Sequence, residues 1–167
     1  GRVFADAGEV LVTGMRFRDV SILAEQQGAE MGAVISCGRA SYRGVAAERI
    51  SALVKGRETF SGDCLFSFYG AAARAKFSGL TLSGSPGVSA NIQLDGLDLG
   101  SLSAALNEEI RVYGIIDAAA TIAIEGGMPF AEVSFASVRR SGVKQCLNFG
   151  AVKALMQLTG SYGSTVK

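Results

Sequence analysis

From Val88 to Asp95 the chain alternates without exception, with Val88, Ala90, Ile92 and Leu94 apolar and Ser89, Asn91, Gln93 and Asp95 polar. Period two sends successive side chains to opposite faces of a strand, so this segment has one apolar and one wet face. Gly84-Ser85-Pro86-Gly87, just before it, is a turn signal, because proline presets φ and glycine admits a positive one. The same alternation recurs along most of the chain. Val10 and Val12, then Met15 and Phe17, predict a strand whose phase changes near Gly14, as at a bulge. Met31, Ala33, Ile35 and Cys37 line one face of a short strand, and Ile50, Ala52 and Val54 line the next, opposite Arg49, Ser51 and Lys55. Phe60, Gly62, Cys64, Phe66 and Phe68 form the longest stripe, followed by Ala73, Ala75 and Phe77. Ile110, Val112 and Ile116, then Ile122 and Ile124, then Val133 and Phe135 complete the series. A turn at Glu125-Gly126-Gly127-Met128-Pro129 separates the last two.

Two stretches change to helical spacing. Leu99, Leu102 and Leu106 recur at i, i+3 and i+7 and predict a helix over 98–107, with Asp98 as its N-cap. Leu147, Val152, Leu155, Met156 and Leu158 predict a second helix over 143–159, capped by Ser141 and ended at Gly160. The reading is a single mainly β unit over residues 1–167 with two short to medium α-helices.

Composition sharpens this picture. The hydrophobic share is 49% and the charged share 19% of 167 residues, below the roughly 25% charged of ordinary soluble domains. Mean hydropathy is +0.31, yet no apolar run approaches the ~18 residues of a spanning helix. Sixteen basic and 15 acidic residues are interspersed and leave a net charge of +1, so there is no basic stripe for a nucleic acid. Arg139, Arg140 and Lys144 are the nearest approach to one and read as a solvated loop. The chain opens at Gly1 without methionine and stops at Lys167, which reads as a segment of a larger protein.

Catalytic constellations are missing from the pattern. The chain has no histidine, so imidazole-based triads and the common zinc sites are excluded. Cys37, Cys64 and Cys146 are far apart with no CxxC spacing; Cys37 and Cys64 fall on apolar phases, where a thiol acts as a small hydrophobe. Glu108-Glu109 is an adjacent acidic pair whose members would point opposite ways on a strand, which does not suit paired-carboxylate hydrolysis. The glycines form neither a Walker A nor a dinucleotide fingerprint, and Asp95 and Asp98 do not fill a calcium loop. The expectation is no enzyme, no cofactor and no metal.

Leu94-Asp95-Gly96-Leu97-Asp98-Leu99-Gly100-Ser101-Leu102 resembles the strand-to-helix element of the AsmA-like family of bacterial envelope proteins, which includes the TamB and YdbH proteins. The stretch from Arg139 to Leu155 is similar to a helical insertion near the C-terminal end of such proteins. Ser41–Val45 with Ile50–Val54, and Phe68-Tyr69-Gly70, are similar to their strand pairs and strand ends. The resemblance implies a curved, twisted antiparallel sheet, a half-open β-taco-like gutter, whose apolar face takes phospholipid acyl chains. It further implies a place in the periplasm or cell envelope of a didermic bacterium. The full-length protein would be anchored in the inner membrane by parts outside this chain and serve lipid transfer or outer-membrane maintenance. On this reading the lipid-contacting residues are Phe60, Phe66, Ile92, Leu94, Ile122, Ile124 and Phe135. Alternation puts each on the apolar side of its own strand; that the strands share one groove comes from the resemblance. Burial of a methylene contributes about 0.8 kcal/mol, so a chain of roughly sixteen carbons gains on the order of ten. The alternative is a structural β-sandwich or β-solenoid interaction module in which the same stripes form a sealed core. An outer-membrane barrel would carry aromatic girdles, for which a chain with no tryptophan and four tyrosines has little material.

Overall fold

A computed structural model describes residues 1–81, 87–106, 112–125, 128–137 and 146–147. The elements are β1 (Arg2–Val12), β2 (Met15–Gln27), β3 (Glu30–Tyr42), β4 (Val45–Gly56), β5 (Thr59–Phe68), β6 (Ala71–Thr81) and β7 (Val88–Asp98). They continue with α1 (Leu99–Leu106), β8 (Val112–Tyr113), β9 (Ile115–Glu125), β10 (Met128–Ser137) and β11 (Cys146–Leu147). Nine of the strands make one curved, unclosed sheet in the order β1-β2-β3-β4-β5-β6-β7-β9-β10, and β8 pairs with β11. Every neighbouring pair is antiparallel. With an odd number of strands, β1 and β10 lie at opposite edges and run in the same direction.

Hairpins carry the chain from strand to strand because the turn residues have the required handedness. Thr13-Gly14, Arg43-Gly44 and Tyr69-Gly70 have φ of 47° and 82°, 48° and 87°, and 44° and 84°. Two successive positive φ values make the type I′ turn, whose twist matches that of the strands it joins. The phase change expected near Gly14 is therefore a hairpin between Val12 and Met15, not a bulge. The true change of phase lies six residues earlier in β1 and recurs across its neighbours. The register places Gly8 opposite Asp19, Asp19 opposite Gly38, and Gly38 opposite Arg49. Asp19 has φ 54° and Arg49 φ 53°. On either side of this line Val20 and Phe17, Cys37 and Ala40, and Ile50 and Ala47 are at least half-buried, while the pair of residues between them is exposed. A left-handed residue set into a strand bends it; Asp19 in β2 and Arg49 in β4 have that conformation, and the change of phase runs across all four strands. A Cβ at Gly38 would stand 2.9 Å from the Asp19 Oδ2, so the glycine leaves room for that side chain.

The expected helix at 98–107 is present as α1. Asp98 caps it, its Oδ1 accepting from the Gly100 and Ser101 N–H groups at 2.8 and 3.3 Å, with the Ser101 hydroxyl on Oδ2 at 3.0 Å. The second expected helix, 143–159, lies outside the described residues except for Cys146–Leu147, which form a strand against Val112–Tyr113. There the helical reading is corrected, because backbone pairing with β8 took precedence over the apolar spacing. Asn107, Glu108-Glu109, Ile110, Arg139, Arg140, Ser141, Lys144, Gly160 and the turn 84–86 also fall outside the described residues. Val112 and Ile116, read as one run, belong to separate strands divided by Gly114 at φ 148°. The strand through Met31–Cys37 extends to thirteen residues.

Candidate functional site: an apolar face across nine strands

Paired residues in an antiparallel sheet project to the same side, so the register assembles the stripes of single strands into transverse rows. One row begins Ala5, Ile22, Ile35, Ala52 and continues Cys64, Ala75, Ile92, Ala120 to Val133 at the far edge. It crosses all nine strands without a charge or a strong hydrogen-bonding group. The row on one side runs from Val3 through Ala24, Ala33, Val54, Gly62, Phe77, Ala90 and Ile122 to Ala131. The row on the other side runs from Ala7 through Val20, Cys37 and Ile50, then Phe66, Ala73, Leu94 and Ala118 to Phe135. Arg49 and Ile50 together oppose Phe66 across a bulge. Eight strand spacings make such a row roughly 38 Å long, more than twice the ~15 Å that one leaflet's acyl chains fill.

All seven residues singled out in the sequence face this side. Phe60 is buried at 6% exposure, Phe66, Ile92, Leu94 and Ile124 are half-buried, Ile122 is 38% exposed and Phe135, on the edge strand, 75%. They populate β5, β7, β9 and β10. Strands β2 to β4 add Ile22, Ile35, Ile50 and Val54 to the same face; the sequence signal for the last three was present in their alternation. Gly62 is part of the same surface: a Cβ there would run into the Leu53 carbonyl and stand 2.8 Å from the Phe77 Cζ, so the Phe77 ring lies over the glycine.

The opposite face has different chemistry. Among the described residues its ion pairs are Arg2–Glu25, Arg16–Glu9, Arg18–Glu9, Arg39–Glu48 and Lys76–Asp63, all solvent-exposed, and each contributes at most about 1 kcal/mol. The buried apolar residues Cys37, Phe60, Ala71, Ala73 and Leu97 belong instead to the apolar face. Among the described residues that face has no second sheet laid over it, so its burial comes from the sheet's own curvature. A depression lined by Leu23, Glu25, Val34, Leu53 and Lys55 of the charged face is also bordered by Ala33.

One rim of the sheet is built up. Tyr69 ties two hairpins together, its hydroxyl accepting from the Ala46 N–H at 3.1 Å and donating to the Gly44 carbonyl at 3.4 Å. From the end of β7, α1 runs along this rim until the Ala105 carbonyl comes within 3.3 Å of where a Cβ on Gly44 would be. Buried Ser103 fixes the helix to β8, accepting from the Val112 N–H at 3.2 Å and donating to the Gly100 carbonyl at 3.1 Å.

Cys37 and Cys64 are free and stand on the apolar face two strands apart. The Cys37 thiol donates to the Arg18 and Arg39 carbonyls at 3.3 and 3.2 Å. Burial pushes the Cys64 thiol up from its ordinary value, which keeps it protonated and a weak nucleophile. Among the described residues no cluster of three or more cysteine and carboxylate side chains could hold a metal, and no helix is long and apolar enough to cross a membrane. No family model, curated protein or solved structure matches the chain.

Proposed function

We propose that this chain is a non-catalytic segment of a bacterial envelope protein of the AsmA-like kind, and that its apolar face holds phospholipid acyl chains during transfer between membranes or outer-membrane maintenance. The observation that carries this reading is the transverse row from Ala5 to Val133, apolar on every one of nine strands. A hydrocarbon chain needs a dry surface without directional contacts, and a uniform row provides one along which it can shift with little change in energy. Small residues (Ala5, Ala52, Ala75, Ala120) alternate irregularly with Ile22, Ile35 and Ile92, leaving a shallow surface instead of a filled core. The resemblance of Leu94–Leu102 to the family's strand-to-helix element supports the same class.

The test is a photo-crosslinking amino acid at Ile92, Ile124 or Phe135, activated in bacterial cells that make the protein. Phospholipid attached at Ile92 and Ile124 is the expected result. A well-folded protein that yields no lipid adduct at any of the three positions overturns the reading in favour of a sealed structural core.

A further inference from the structure

The two rims of the sheet differ in chemistry. One is formed by the turns Thr13-Gly14, Arg43-Gly44 and Tyr69-Gly70 together with α1. The other, with turns at Gly28-Ala29 and Arg57-Glu58, carries Glu30, Arg57 and Glu58. Among the described residues of the first rim, Thr13 to Met15 and Leu99 to Leu106 are uncharged, and Arg43 is the single charge between Tyr42 and Val45. Asp98, at the start of α1, is engaged in its cap. Met15 opens β2 and Tyr42 closes β3 beside it, since Arg16 opposes Ser41. By period two both lie on the side of Phe17 and Ala40, which is the apolar face. Tyr42 lies over the first turn, where a Cβ on Gly14 would stand 3.6 Å from its Cε2. The Arg43 guanidinium stacks on the Tyr42 ring at 5.2 Å, and the end of α1 reaches the next residue, Gly44. Met15, Tyr42 and Leu106 are 40%, 43% and 62% exposed. They make one contiguous apolar patch with a single cation in it.

We propose that this rim docks on the surface of a phospholipid bilayer, with Met15, Tyr42 and Leu106 in the interfacial layer and Arg43 on lipid phosphate. A tyrosine ring with a polar tip is suited to headgroup depth, and a guanidinium fork matches phosphate oxygens. Charge decides which rim turns to the membrane. An anionic surface attracts Arg43 and repels the carboxylates of Glu30 and Glu58 on the other rim. Size favours lipid over a protein partner. Three apolar side chains and one guanidinium fall far short of the roughly 800 Å² per partner that a stable protein interface buries, whereas a fluid interface is entered by a few apolar side chains aided by cations. The patch is the last row of the apolar face, so docking brings that face against the hydrocarbon layer. The docking itself does not depend on what the apolar face binds, which the crosslinks above test separately.

Flotation with vesicles tests it, using phosphatidylcholine alone or mixed with phosphatidylglycerol, and circular dichroism melts check folding. The chain is expected to float with the mixed vesicles. Leu106→Asp, on the exposed end of α1, should weaken this about tenfold or more with the melt unchanged. Arg43→Glu should weaken binding to the mixed vesicles more than to phosphatidylcholine. Phe130→Asp, an equally drastic change at an exposed residue near the opposite rim, should leave flotation as it was. The chain has no tryptophan, so Leu106→Trp gives a single reporter. Its emission should shift to the blue when mixed vesicles are added, and that of Phe130→Trp should not. If Leu106→Asp does not fold, the two tryptophan chains decide alone. A chain that floats with neither vesicle type, a folded Leu106→Asp chain that floats as well as wild type, or equal effects at Leu106 and Phe130 would overturn the proposal. Self-association in sedimentation velocity that Leu106→Asp abolishes, with no flotation, would overturn it in favour of a second copy.

Discussion

The first four strands and the last five share one apolar face and differ on the other. Across the charged face a single transverse row reads Phe4, Leu23, Val34, Leu53 and then Asp63, Lys76, Asn91, Thr121, Glu132. It is apolar over β1 to β4 and polar from β5 onward. Phe4, Leu23, Val34 and Leu53 are 65%, 46%, 47% and 44% exposed. The two halves also bend differently. The first is creased along Gly8, Asp19, Gly38 and Arg49, whereas the second bends at local bulges, such as the one at Gly96 (φ 79°), whose N–H donates to Asp117 at 2.8 Å. The difference teaches that one sheet can keep an uninterrupted apolar side while its reverse changes character, because period two makes the two faces independent.

The seam between the halves is where a substitution should cost most. Gly62→Val places a side chain against the Leu53 carbonyl and the Phe77 ring, and the expected loss is about 3 kcal/mol or more in urea unfolding. Gly32→Ala, in the first half, meets nothing closer than 4.0 Å and should change stability by less than about 0.5 kcal/mol. Equal losses at the two positions would mean that the ring of Phe77 does not lie where the register puts it.

A charge placed on each face separates them next. Ile92→Asp puts a carboxylate in the apolar row and should cost about 2 kcal/mol, less than in a sealed core because Ile92 is only half-buried. Leu53→Asp, on the reverse side of the first half, should stay within about 0.5 kcal/mol. Parallel denaturant titrations decide it; a chain unfolded by Ile92→Asp contradicts the open face.

The smallest effect is that of pH on Cys64. Its folded value is raised by burial, so as pH rises through the ordinary thiol range the unfolded chain loses this proton first. Stability should then fall slightly with increasing pH up to the raised value. A Cys64→Ala chain should lose that slope, as melts at stepped pH would register. Alkylation of Cys64 in the folded chain should be slow at neutral pH and speed up as pH rises.

Much of this was legible in the amino-acid order, and the illegible parts have physical causes. Val88–Asp95 is a strand, Asp98 caps a helix, and Phe60 to Phe68 share a face because alternation and capping are local properties of the chain. The seven apolar residues share a face for the same reason, although only the register shows that their strands are neighbours. Phase changes were harder. A two-residue turn at Thr13-Gly14 and a left-handed residue at Asp19 both interrupt alternation, and Asp19 is not a glycine that would mark the spot. Leu23, Val34 and Leu53 fill out continuous apolar runs such as Ile22-Leu23-Ala24, in which alternation is not visible. The pairing of Cys146–Leu147 with Val112–Tyr113 joins segments more than thirty residues apart, which no local pattern encodes.

Because β1 and β10 run in the same direction, hairpins act as interchangeable units of length. Adding or removing one hairpin advances the sheet by two strand spacings, roughly 10 Å, and leaves the direction of the edge strand and the chemistry of both faces as they were. The transverse rows grow by two residues and the rims by one turn each. Such a sheet behaves as a ruler graduated in hairpins: duplication or deletion of about 28 residues resets its reach without a new core having to be designed.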